Sequence, residues 1–492
     1  MKNLRTHYKI LAKVVFVVSA MTVVSCTDDY LEVKPEGQAT TGSGYFQGAN
    51  VNKAIVASYS HLQDYSQHSF SFSGVFSIPS DDADKGSAPG DTGSDKNKLD
   101  NFTHDATDVS VAGLWGANYK GVATANTGIN IVNNPANDLG ENSIPAYEAE
   151  FRFFRAYHYF TLVRVFGGVP IITEDTDPND QEALLVRNTK QEVYDFIVED
   201  LTYASEFLPV NPPQVGRIGK GAAQTLLAKA QMYQGNWQEV LNLTNEVIAS
   251  GEFALHPNYE ELWRIDHENT VESIFEVQGN SAENLGINNL AEHHGVRGQW
   301  GWGFDVPSQS LVDAFDAAGD EIRKDATVIF RGEEMYDNYL YEDDPNITAV
   351  VSENAPNPYY SEKMYFGPVA ANALDKNLIL LRYAEVLLMN AEANNELGNA
   401  NAALESLNQV RSRVELPAIT TTSQSELRQT IWKERRLELA MEFDRTFDVI
   451  RQGRGQEVFG PLGFQSGKNE VFPIPQDQIS LSGGLLKQNP GY

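Results

Sequence analysis

From residue 49 onward, apolar positions recur mostly every three or four residues, the spacing of one helix face. The first such stretch runs from Asn50 to about Ser66, and the second from Val109 to Asn133, with Leu114, Asn118 and Ile129–Val132 on its buried faces. Pro145 opens a third, a first-turn position that tolerates proline. There Tyr147, Phe151, Phe154, His158, Leu162 and Val165 form one row, and Phe153, Tyr157 and Phe160 form another. Two apolar rows predict a helix packed on two sides, ended by Gly167-Gly168-Val169-Pro170. Thr189 then caps a run to about Leu208, closed by Pro209, Pro212 and Pro213.

Two later segments repeat one design. Ala228-Lys229-Ala230 is followed by Gly235-Asn236, and Ala391-Glu392-Ala393 by Gly398-Asn399. Each continues into a second amphipathic stretch, Trp237–Ala249 and Asn401–Val414. Small residues let two helices approach closely and the glycine ends the first in a left-handed cap, as in tetratricopeptide-like (TPR-like) helix pairs. A final helical pair spans Gln424 to Arg454.

Between about 251 and 377 the periodicity weakens, apart from a helix at Gln309–Ala317, and Gly, Pro, Asn, Trp and Tyr accumulate. The pattern predicts long loops and short strands, the kind of segment in which binding residues concentrate. The expected organisation is a helical half over 49–250, a loop-rich region over 251–377 and a helical segment over 378–492, together one mainly α domain.

The N-terminus differs from all of this. Lys2, Arg5, Lys9 and Lys13 precede an apolar run to Val24, then Ser25 and Cys26, the only cysteine. That order reads as a lipoprotein signal peptide over 1–25, with Cys26 as the acylated N-terminus and 26–48 as a polar, Gly-rich tether. The apolar run is short for a span, which needs about 20 residues. A lone cysteine excludes an intramolecular disulfide.

Without residues 1–25, which hold four basic and no acidic residues, 37 Lys and Arg against 67 Asp and Glu becomes 33 against 67, a net charge of −34. Such a surface repels nucleic acid. Seven basic and 24 acidic residues fall in 251–377, so half of that net charge lies in the loop-rich region. No HExxH or CxxC motif occurs, and no metal or cofactor is implied. Asp82-Ala83-Asp84-Lys85-Gly86 starts a calcium-loop rhythm without its remaining ligands, and reads as a solvated turn. Gly216-Arg217-Ile218-Gly219-Lys220 has glycine spacing too short for a phosphate loop.

The sharpest local feature is Gly298-Gln299-Trp300-Gly301-Trp302-Gly303. In extended backbone Trp300 and Trp302 point the same way, and their indoles either stack on sugar rings or fill the core beneath the helices. Arg297 and His294 are near enough in sequence to supply hydrogen bonds. Tyr336, Tyr339, Tyr341, Tyr359, Tyr360 and Tyr365 place six of 21 tyrosines within thirty residues, a ligand rim, a partner face or strand packing. Asp81 and Asp82, in the Gly/Asp-rich segment Ser80–Asp105, would accept hydrogen bonds from hydroxyls.

Five segments together resemble one family. Phe151-Arg152-Phe153-Phe154-Arg155-Ala156-Tyr157 through Phe166-Gly167-Gly168-Val169-Pro170 is similar to the signature helix of SusD/RagB-type outer-membrane lipoproteins, as is Gly216-Arg217 to Ala230. Leu381–Leu388 with Ala391-Glu392-Ala393, Glu434–Ala440 through Phe447-Asp448 and Arg451, and the tail Phe472-Pro473-Ile474-Pro475 to Tyr492 follow in the family's order. Gly301-Trp302 with Pro307 and Phe315 resembles a further family segment. The resemblance implies a SusD-like helical fold with four TPR-like units. It also implies a lipid anchor at Cys26 in a Bacteroidetes-type outer membrane, facing outward, with Asp28-Asp29 as an acidic export signal. The partner it implies is a SusC-like, TonB-dependent transporter, to which oligosaccharide, or alternatively peptide, is handed without catalysis; a glycosidase is the third class. Glu434-Arg435-Arg436 is expected to be a buried ion-pair network rather than a ligand site.

Overall fold

The computed structural model of the chain describes residues 48–87, 93–280, 289–297, 301–330, 333–337, 359–367 and 373–492. Cys26 and the expected tether, apart from Gly48, lie outside them.

Helices form where the apolar spacing is helical. α1 (Gly48–Leu62), α2 (Val109–Asn133), α3 (Ile144–Phe166) and α4 (Lys190–Phe207) build the first half. Asp108 starts α2 by accepting from the amides of Ser110 and Val111, and Thr189 with Glu192 forms a reciprocal capping box on α4. Both apolar rows of α3 are buried, with Tyr147 alone half-exposed, so this helix is enclosed between α2 and α4. Two glycines let α2 approach it. A methyl group on Gly121 would lie 2.1 Å from the His158 ring, and one on Gly128 2.2 Å from the Phe151 ring. The close contact outweighs the cost of mid-helix glycine, about 1 kcal/mol each relative to alanine.

The repeated segments are helix pairs: α5 (Lys220–Met232) with α6 (Trp237–Ser250), and α7 (Tyr383–Glu396) with α8 (Ala400–Arg413). Gly235 (φ +73°) and Gly398 (φ +82°) make the left-handed caps. The Asn236 amide donates to the Gln231 carbonyl at 3.1 Å and the Asn399 amide to that of Asn394 at 2.8 Å, the six-to-one bond of a Schellman turn in both copies. The pairs share one core, Ala228, Met232, Val240 and Val247 against Val386, Leu387, Ala391, Leu407 and Val410, closed by Leu427 and Ile431 of α9 (Gln424–Glu438).

Three two-stranded antiparallel ladders tie distant segments together: β1 (Ala83–Gly86) with β3 (Phe304–Pro307), β2 (Ser273–Val277) with β6 (Leu378–Arg382), and β4 (Val328–Ile329) with β5 (Tyr360–Ser361). The first corrects an expectation. Asp82–Gly86 is not a solvated turn: Asp82 is buried and the strand behind it pairs Ala83 with Pro307 and Gly86 with Phe304.

Beneath α9 lies a buried ionic layer. Arg323 bonds Asp320, Glu434 and Glu438; Arg382 bonds Glu272, Glu438 and Glu442; Arg435 and Arg451 bracket Asp448. Glu434 and Arg435 therefore serve the frame, as their motif suggested. The tail locks onto the end of α3, the Phe472 amide donating to the Val165 carbonyl at 2.7 Å and the Asn489 side chain to that of Phe166 at 3.0 Å. Among the described residues no helix is long and apolar enough to cross a membrane.

Candidate functional site

The β1–β3 ladder sets the site, because it brings residues from 83–87 beside the segment that leads out of Trp302. Trp302 itself is held by its backbone: its amide donates to the Glu292 carbonyl at 2.7 Å, and the next amide, Gly303, to the Gly295 carbonyl at 3.0 Å. The indole is 38% exposed, which makes it a surface ring rather than a core one. Its edge meets Phe70, centroids 6.1 Å apart with planes at 79°, and His293 lies 6.3 Å away.

Phe70 is the hub of an aromatic ledge. His293 approaches it at 4.6 Å, Phe304 at 5.1 Å and Tyr65 at 6.1 Å. The Lys96 ammonium lies 3.4 Å from the Phe70 centroid, held by Asp95 at 2.9 Å, and burial lowers its pKa. Tyr65 is 37% exposed, so the ledge presents two open rings, Tyr65 and Trp302, each against Phe70. Sequence reasoning missed Tyr65 and Phe70. They sit where α1 has ended and two short helices, Tyr65–His68 and Phe70–Phe76, begin, and the break after Leu62 was the available signal.

The other sequence candidates divide by what already holds them. Arg297 donates to the Ser87 hydroxyl, next to the ledge, and Gly303 is pressed between Arg297 and the Tyr360 ring. Tyr360 is buried among Val296, Val306, Ile329, Met335 and Tyr365, so it supports the Trp302 segment from below rather than facing solvent. Tyr359 donates to the Gln309 amide oxygen at 2.8 Å and packs edge-on to Phe330. Trp300, Tyr339 and Tyr341 lie outside the described residues.

His294 is interior. Its Nδ1 lies 3.3 Å from the Asp305 carbonyl, and burial pushes its pKa down to about 4, so the ring is neutral and out of a ligand's reach. Burial likewise raises Asp305 to about 8; its carboxyl takes a 2.7 Å hydrogen bond from Ser77. Asp81 and Asp82 are removed from hydroxyl recognition for a different reason. Arg445 grips Asp81 with two bonds of 2.7 and 2.9 Å, and Arg436 bonds Asp82 at 2.6 Å. The expectation of a sugar-binding acidic loop there gives way to an ionic clasp between the first half and the late helices.

Open concavities lie elsewhere, where the helical half meets Phe253 and β2. Adjoining clefts of about 310 and 520 Å³ share Val210, Gly221 and Glu252, and contain Arg217, Phe253 and Phe275 but none of the sequence candidates. Arg217 is already bound to Glu150. No group of three His, Cys, Asp or Glu among the described residues converges to hold a metal ion.

With this geometry in view, two family models match the chain. One described as "SusD family" matches residues 271–492, and one described as "Starch-binding associating with outer membrane" matches residues 29–232. SusD-like protein P2 of Formosa agariphila is 29% identical over 98% of this chain and 99% of its own length. A SusD-like protein of Bacteroides ovatus is 26% identical over 89% of this chain and 81% of its own. Among solved structures, a laminarin-binding SusD-like protein is 28% identical with a TM-score of 0.75, covering 91% of this chain and 100% of that one. A SusD-like protein of Bacteroides fragilis is 26% identical with a TM-score of 0.78, covering 92% and 99%. The two family models and the end-to-end alignments agree: the chain belongs to the SusD family, and the model that its first half matches is described as associating with the outer membrane.

Proposed function

We propose that this chain is a surface-exposed, lipid-anchored outer-membrane protein that captures oligosaccharide on the Tyr65–Phe70–Trp302 ledge and passes it, unaltered, to a SusC-like TonB-dependent transporter. The observation that carries the reading is the pair of open aromatic rings, since Trp302 and Tyr65 stay more than a third exposed while nearly every other ring around them is packed. Aromatic faces stack on the CH faces of sugars, and rigid rings lose little side-chain entropy in doing so. Arg297 and Ser87 border the ledge with polar groups that can orient hydroxyls. The starch-binding description of the matched model and the laminarin-binding relative support a glycan over a peptide.

Binding without turnover suits the state of Asp305, Asp81 and Asp82. A general acid or base must reach the scissile bond, whereas Asp305 is sealed beneath the ledge and Asp81 and Asp82 are clasped by arginines. The anchor would be Cys26, acylated after removal of residues 1–25, with 26–48 as tether. Calorimetry against starch- and laminarin-derived hexasaccharides, with tetrapeptides alongside, tests the ligand class. Glycan binding lost on Trp302→Ala supports it; peptide binding alone, or release of sugar products, refutes it. Copurification with a large outer-membrane barrel after mild detergent extraction tests the partner.

A further inference from the structure

We infer that Gly301 is a positioning residue: its backbone contact with Gly295 sets the direction in which the Trp302 indole meets a ligand. The inference rests on the ledge being the binding surface. A methyl group on Gly301 would lie 2.0 Å from the Gly295 carbonyl carbon, 2.1 Å from its oxygen and 2.4 Å from its Cα. These are backbone atoms, which cannot swing aside as a side chain could. In the reverse direction, a methyl on Gly295 would be 3.0 Å from the Gly301 Cα. Neither residue has a positive φ, so left-handed backbone is not why glycine is needed at either place. What glycine supplies is the close approach of two chain segments.

The residue after Trp302, in left-handed backbone at φ +69°, is pinned by hydrogen bonds. Gly303 donates to the Gly295 carbonyl at 3.0 Å, and its own carbonyl accepts from the Ser87 amide. A methyl on Gly86 would lie 2.4 Å from that carbonyl oxygen. Gly301 also bridges to Arg297, and the Trp302 amide is bonded to Glu292. Trp302 therefore stands between two glycines, Gly301 wedged against the Gly295 backbone and Gly303 hydrogen-bonded to it and set between the Arg297 and Tyr360 side chains, and its Cα–Cβ direction is fixed from both sides. The Gly295–Gly301 contact buries no apolar side chain. Its effect is on where the indole points, which fits pre-organisation: a ring already held in its binding pose loses less freedom when ligand arrives.

The test uses the full mature chain labelled with 5-fluorotryptophan, in which Trp302→Phe assigns the residue-302 resonance among the six tryptophans. Gly301→Ala should shift and broaden that line and raise the Kd for a starch- or laminarin-derived hexasaccharide about tenfold or more, as expected when an aromatic anchor is misplaced. Gly116→Ala, on α2 with nothing within 4 Å of the added methyl, should change neither. If Gly301→Ala does not fold, Gly295→Ala presses the same contact more gently and should move both readouts in the same direction. An unmoved residue-302 line, or a moved line with wild-type affinity while Trp302→Ala loses binding, overturns the inference and leaves the ledge reading intact. Wild-type affinity in Trp302→Ala itself removes the ledge as the binding surface, and the positioning role falls with it.

Discussion

Asp305 offers a direct check on the floor of the ledge. It follows the Trp302 segment on β3, is fully buried, and carries one carboxyl oxygen with no hydrogen-bond partner. Burial raises its pKa from 3.8 to about 8. Because the folded value lies above the unfolded one, the group's contribution to stability is complete below about pH 3.8, erodes as pH rises, and is gone once pH passes about 8. At 1.36 kcal/mol per unit, the three units from pH 5 to pH 8 amount to a loss of about 4 kcal/mol from this one carboxyl. Asp305→Asn mimics the protonated acid without its titration. Asparagine also suits the left-handed backbone at this position, φ +51°. The variant should exceed the wild type by about 2 kcal/mol at pH 5 and by about 5 kcal/mol at pH 8, so that the gap widens by about 4 kcal/mol between them. Urea unfolding followed by tryptophan fluorescence at pH 5, 6, 7 and 8 measures the difference. Other buried groups titrate in this window, among them His68 and His104, both lowered to about 4 chiefly by burial, and Glu268, raised to about 8 chiefly by burial, but they are common to both proteins and cancel. Parallel stability curves for the two proteins would refute the buried-acid reasoning, as would a variant that is less stable at pH 8.

Trp302→Ala should weaken hexasaccharide binding by about 1–3 kcal/mol, and Tyr65→Ala by less, in calorimetry on variants with wild-type melting. Arg323→Ala strips the shared cation from Asp320, Glu434 and Glu438 and leaves three buried carboxylates with one partner fewer; it should cost about 3–5 kcal/mol by denaturant unfolding. Asp81→Ala and Arg445→Ala should each lower the melting temperature while leaving hexasaccharide affinity unchanged, which separates the ionic clasp from the ledge. Cys26→Ser should abolish incorporation of radiolabelled fatty acid and release the protein from the membrane fraction.

What the sequence revealed and what it concealed follow from the range of the forces involved. Helix spacing and caps act over one or two turns, so Val109–Asn133 was legible to the residue and Trp237–Ser250 to within one. The paired Gly-Asn turns were legible for the same reason. The strand at Ala83–Gly86 was not, because its five-residue neighbourhood is charged and turn-like, and what makes it a strand is β3, more than two hundred residues later. Asp81 and Asp82 looked available for hydroxyls because the arginines that hold them lie 364 and 354 residues away. His294 looked like a hydrogen-bond donor to a ligand because nothing local announces that Asp305 and Phe443 enclose it. Tyr65 and Phe70 became visible as a site only when the loop carrying Trp302 was folded onto them.

The same contrast explains why family membership was readable while the proposed ligand surface was not. Phe151–Tyr157, Glu434–Ala440 and the Phe472–Tyr492 tail meet one another in the frame: α3 runs through the core, α9 carries the ionic layer, and the tail bonds to the end of α3. Such residues are constrained by many simultaneous partners, which is what makes a motif recognisable. The ledge is constrained differently. Trp302 is held through backbone bonds and the Gly295–Gly301 contact and meets Phe70 edge-on, Tyr65 meets Phe70 at a tilt of 34°, and both rings stay more than a third exposed. A surface so lightly tied to the frame can change its rings without disturbing the helices, so ligand preference can diverge among proteins that share this fold. In this chain the ligand is therefore to be sought through Trp302, Tyr65 and the glycines that hold them, not through the motifs that identify the family.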